Sequence, residues 1–156
     1  MPVTQTEIQR LAFIKYLHRL GDEQTKMSEP LCSISILSYH DSVELFLGLI
    51  TDKLSITKTT PHFIDYWDLI GKKSVPSYRL SHKNEMSRLN KNRVQLKHYG
   101  IYPSKLAIDE AKIFLNLFFE ENTKLIFGLD YSQISLVDLV TFESTKNFRN
   151  NSLLGS

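Results

Sequence analysis

The sequence predicts an all-α protein, an antiparallel bundle of five or six helices. Three observations carry this: apolar residues recur at three- and four-residue spacing, glycine or proline stands at the ends of those runs, and the connections are short and polar. Thr6 to Leu20 places Ile8, Leu11, Ala12, Ile14, Leu17 and Leu20 along one stripe, with Gly21 as a stop. A polar link from Asp22 to Glu29 leads into Pro30 to Leu54, where apolar residues are dense enough for a helix buried on more than one side. Ser55 to Thr60 is a β-branched, polar break, after which Pro61 opens a short aromatic helix, Phe63 to Ile70, closed by Gly71. Lys72 to Tyr78, with Pro76, reads as a loop. Ser81 to Tyr99 is the fourth helix, ended by Gly100, and Pro103 restarts the chain. Ser104 to Phe127 forms a second core helix that Gly128 interrupts. Ile134 to Phe142 closes the pattern as a helix, or as a strand given Ile134, Val137, Val140 and Thr141. Residues 1–146 are expected to form a single domain and 147–156 a flexible tail or linker.

With 42% apolar and 23% charged residues, the chain falls in the ordinary globular range and outside the disordered and fibrous classes. Cys32 is the only cysteine, so no disulfide framework exists and a reducing compartment is expected; it reads as a small core residue. The N-terminus has no basic segment followed by an apolar run, and no stretch approaches the roughly 18 apolar residues of a membrane span. The expectation is a cytoplasmic protein with no membrane partner.

The net charge of +2 is unevenly spread. Arg79 to Lys105 contains seven Lys/Arg against the single Glu85, so this segment carries +6 and the remainder −4. A local basic surface on an otherwise acidic chain suits an anionic partner, phosphate above all, or is a solvated helix face. Within it, Met86, Leu89 and Leu96 define the apolar stripe of the fourth helix, and Arg93 falls inside that stripe. A guanidinium there needs an acid, a subunit interface or a cavity that receives an anion. Asp41 and Glu44 are the acids expected to pair with Arg93 if its role is structural. Lys97, one turn on, points the same way, and two aligned cations suit a phosphate better than one carboxylate. His98 lies five residues after Arg93, about 140° around a regular helix, so the two share a site only if the helix end loosens or a second copy contributes. His98 stands in the last helical turn, where a capping or surface role is the plainer reading of a lone histidine.

Arg93-Val-Gln-Leu-Lys-His98, within the wider string from Arg88 to Gly100 and with Asp41-Ser-Val-Glu-Leu-Phe46 upstream, resembles the HEPN domains (higher eukaryote and prokaryote nucleotide-binding). The likeness covers roughly Leu31 to Phe119. It implies a helical bundle that dimerises to bring two Arg/His pairs together, and a metal-independent RNase in which Arg93 and His98 are catalytic. An imidazole moves the proton of a 2′-hydroxyl or leaving oxygen, and a guanidinium holds the charged phosphoryl oxygens. Lys97, Lys91 and Arg88 would add phosphate affinity, and Tyr99 and Tyr102 would stack on bases or pack their loop. RNA, a second copy and a larger defence or toxin-antitoxin assembly are the expected partners. Val94 stands where many active members carry a polar residue, which motivates the alternative of a non-catalytic dimerisation or sensing module.

Other chemistries find less support. His40 and Glu44 stand one turn apart, a metal-ligand spacing, but no third ligand is evident in the sequence, so no metal is expected. Phe63, Tyr66, Trp67, Leu69 and Ile70 read as core. Gly71-Lys72-Lys73-Ser74 lacks the preceding glycine of a phosphate loop, there is no nucleophile elbow, and no cofactor is expected. A basic helix from Lys83 to Lys97 entering a DNA groove is disfavoured because Arg93 points inward.

Overall fold

In the computed structural model, which describes residues 2–57, 60–137 and 139, five α-helices follow one another: α1 Gln5–Gln24, α2 Ile34–Lys53, α3 Asp65–Lys73, α4 Lys83–Tyr99 and α5 Lys105–Phe127. Single 3-10 turns at Leu31–Ser33 and Tyr131–Gln133 precede α2 and follow α5. Among the described residues there is no strand, and no helix is long and apolar enough to cross a membrane. Of the last predicted element, Ile134 to Phe142, residues 138 and 140–142 lie outside the described residues, as does the predicted tail 147–156; Ile134 and Ser135 take neither helix nor strand.

The helix starts follow from local chemistry. Thr4 and Glu7 form a reciprocal cap: Thr4 Oγ1 accepts from the Glu7 N–H at 3.2 Å, and Glu7 Oε2 accepts from the Thr4 N–H at 3.0 Å. Ser104 caps α5 through the Ala107 N–H at 3.1 Å. At the far ends, Gly100 and Gly128 take left-handed φ values of 63° and 67°, the conformation that glycine adopts without a Cβ penalty.

Two other glycines do not act as stops. The expected break at Gly21 is absent: α1 runs on to Gln24, so Asp22 to Gln24 belong to the helix and not to the link. A Cβ on Gly21 would stand 2.5 Å from the Tyr39 ring carbons, so the glycine is there to let α2 press against α1. Likewise α3 passes through Gly71 to Lys73 and starts at Asp65, two residues later than the aromatic run suggests.

Antiparallel pairing is visible in the contacts between helices. Along α1 and α2, Tyr39 donates to Asp22 at 2.6 Å, Arg10 to Asp52 at 2.8 Å, and Lys53 to Glu7 at 3.2 Å. Between α4 and α5, Glu121 faces His82 at 3.1 Å and Arg88 lies over the Phe114 ring. The core joins α2 and α5 through Phe46, Phe118 and Phe119, whose rings meet edge to face at 5.3 to 5.6 Å.

The core side of α1 carries two polar residues. Lys15 is buried and donates to the carbonyls of Tyr131, Ser132 and Ile134 at 2.7 to 3.1 Å, which ties the segment after α5 onto α1. Burial, helped by the Arg19 charge, lowers its pKa. His18 Nδ1 and the Tyr131 hydroxyl share a hydrogen bond of 2.7 Å, and burial pushes this imidazole down to about 4, so it is neutral at physiological pH.

Candidate functional site

Around α4, the 3.6-residue period sorts the basic side chains onto two sides. Met86 and Leu89 are buried, and Arg93, at the same face, is half-buried between the direction of Leu89 and that of Met86. This face looks at α2. One turn before Arg93, Asn90 Oδ1 accepts from His40 Nε2 at 2.9 Å; toward the end of α4, Leu96 and Lys97 line one hollow together with Leu37. The two helices therefore run antiparallel, and Arg93 stands beside His40. Burial lowers the His40 pKa, the Asn90 hydrogen bond opposes that, and the Arg93 charge lowers it further.

Asp41 and Glu44, the acids expected to pair with Arg93, are both exposed, and among the described residues no carboxylate lies within 4.0 Å of the Arg93 guanidinium. Glu44 instead turns to His40, with Oε2 3.6 Å from Nδ1. The faces of α2 explain this: His40 lies on the face that meets Asn90 of α4, whereas Asp41 and Glu44 lie on the exposed face, and Glu44 reaches His40 as its neighbour one turn along the same helix.

Lys97, His98 and Tyr99 are exposed on the last turn. That turn stays regular: the Gly100 N–H donates to Leu96 O and the Ile101 N–H to Gln95 O, each at 3.1 Å. The helix end is therefore not loosened, and within one chain Arg93 and His98 stay about 140° apart around the axis. By the same period Lys97 follows Arg93, whereas His98 lies on the side of Lys91 and Arg88. Arg88 and Lys91 line a groove of 330 Å³ between α4 and α5, shared with Gln95, Glu110 and Phe114.

Of the seven basic residues in the charged segment, Lys83 pairs with Asp68 and Lys105 with Asp109. Arg79, Arg88, Lys91, Arg93 and Lys97 have no carboxylate within 4.0 Å among the described residues. Their charge is available to an anion, most of it in water. Beside Lys97 opens an apolar hollow of 490 Å³ lined by Met27, Leu31, Ile34, Leu37 and Tyr102. Tyr102 is not packed away, and Tyr99, 73% exposed, projects into solvent.

His40 is the residue of this region that the sequence marks only by its spacing from Glu44, without a third ligand. It lies on the buried side of α2, stacked on Phe63 with ring centroids 4.3 Å apart. Its spacing from Glu44 is the signal the sequence offers; Asp41, next in sequence, completes a group whose ligand atoms lie within 4.8 Å of one another.

The chain matches no family model, no curated protein and no solved structure.

Proposed function

We propose that this chain is a metal-independent endoribonuclease of the HEPN type, acting in the cytoplasm as a homodimer with a composite Arg/His site, in the manner of a toxin or an antiphage defence effector. The observation that carries the reading is Arg93: a guanidinium set into the apolar stripe of α4 with no carboxylate within 4.0 Å among the described residues. A cation held half out of water without an acid is set up to receive an anion.

In the reaction, the 2′-oxygen of a ribose attacks the adjacent phosphorus and the bond to the 5′-oxygen breaks. His98 moves the proton between these two oxygens, and Arg93 holds the charge that builds on the phosphoryl oxygens. Lys97 continues the cationic line on the Arg93 side, and Lys91 and Arg88 on the His98 side track the backbone, so binding weakens as salt rises. Since Arg93 and His98 diverge on one regular helix, the pair that meets across a phosphate comes from two copies. The exposed apolar side chains Met27, Leu31, Ile34 and Tyr102 beside Lys97 favour such a pairing surface.

Incubating the pure protein with RNA in EDTA tests the reading. The wild type is expected to cleave, and His98→Ala to cleave at least about 10²-fold more slowly. Equal rates for the two proteins, or no cleavage by the wild type, would overturn it. The latter result would favour the second reading, a non-catalytic dimerisation or sensing module of a larger assembly, to which the apolar, half-buried Val94 after Arg93 points.

A further inference from the structure

His40, Asp41 and Glu44 carry a second chemistry that the RNase reading does not use. The His40 ring is fixed on two sides: it is 2% exposed, it stacks on Phe63 at 4.3 Å, and its Nε2 meets the Asn90 side-chain oxygen at 2.9 Å. A carbonyl oxygen only accepts, so the ring proton sits on Nε2 and Nδ1 presents a lone pair. That Nδ1 is buried and has no hydrogen-bond partner. It faces Glu44 Oε2 at 3.6 Å, an arrangement of two acceptors that repel each other unless something positive stands between them.

A metal ion meets that need. Nδ1, an Asp41 oxygen and a Glu44 oxygen lie within 4.8 Å of one another. Donors bound to one ion at about 2.0–2.2 Å stand roughly 3–3.5 Å apart, and both carboxylates are exposed and free to swing inward by that margin. Asn90 then plays the part common behind metal-bound histidines, a carbonyl that takes the other ring proton and fixes the tautomer. We propose that His40, Asp41 and Glu44 form a binding site for a divalent first-row transition ion, with water completing its coordination. One imidazole nitrogen with two carboxylates suits zinc, and also cobalt or manganese, while the nitrogen donor disfavours calcium and magnesium. Two carboxylates balance the charge of such an ion. The site sits at the edge between the buried face of α2, which carries His40, and the exposed face, which carries Asp41 and Glu44.

The test uses the full chain stripped with EDTA, returned to metal-free buffer and titrated by calorimetry with zinc alone, then with cobalt alone while the visible spectrum is recorded. One equivalent is expected to bind, with cobalt bands of a nitrogen and oxygen ligand set. The double variant Asp41→Asn, Glu44→Gln changes two exposed side chains and is expected to keep its helical circular dichroism while losing affinity at least about tenfold. Absence of one-equivalent binding in the wild type would overturn the proposal, as would equal affinity in the double variant. No RNA is present in this experiment, so its outcome is independent of the RNase reading.

Discussion

Arg93→Ala is expected to slow RNA cleavage by about 10²–10³-fold, the usual cost of removing one preorganised donor from a developing oxyanion. The loss should be catalytic and not structural. Arg93 is half-buried against the Met86 and Leu89 face but makes no ion pair with a described carboxylate, so removing it leaves no stranded partner charge. The urea midpoint should therefore move by less than the equivalent of about 1 kcal/mol. Arg93→Lys keeps the charge and loses the two-pronged geometry, and is expected to recover only part of the rate. Single-turnover cleavage and urea unfolding on the same preparations separate these effects. A variant that loses rate and stability together would show that Arg93 holds the bundle instead of the phosphate.

Phe119→Ala should have the largest effect on the fold, about 3–5 kcal/mol of unfolding free energy. Phe119 is fully buried where three helices and the last 3-10 turn meet. Its ring stacks on Tyr131 at 5.1 Å, lies 5.0 Å from His18, and meets Phe46 and Phe118 edge to face at 5.3 Å. Truncation opens a cavity among four rings, one of which, Tyr131, also anchors His18 through its hydroxyl. Chemical denaturation reads the change directly, and a loss under about 1 kcal/mol would mean that the core does not close around this ring.

How much of the fold is legible in the sequence depends on whether the information is local. The helices are legible because burial imposes a 3.6-residue period on each one separately, and Gly100 and Gly128 end α4 and α5 as expected. Gly21 misleads because a glycine that ends a helix and a glycine that admits a neighbouring ring are the same letter; only the position of Tyr39 tells them apart. Lys15 and His18 are similar. Nothing within α1 says that a lysine and a histidine on its core side will find three carbonyls and a hydroxyl more than a hundred residues away.

The candidate site divides along the same line. Arg93 in the apolar stripe, and its divergence from His98, follow from the period of a single helix and are legible in the sequence alone. The neighbour of Arg93 across the interface is not. Asp41 and Glu44 are the natural partners by charge, but the sliding register of α2 on α4 is set by the whole core, and it puts His40 against Asn90. Glu44 faces the histidine one turn before it on its own helix, and not the guanidinium across the interface.

The central claim is that one catalytic unit takes Arg93 from one copy and His98 from another. Mixing the Arg93→Ala and His98→Ala proteins, each inactive alone, and letting the subunits exchange tests it most directly. In a mixed dimer one of the two sites regains an intact Arg93 and an intact His98, so RNA cleavage in EDTA should return to about one quarter of the wild-type rate when half of the dimers are mixed. Mixed dimers that form but remain inactive would contradict the account.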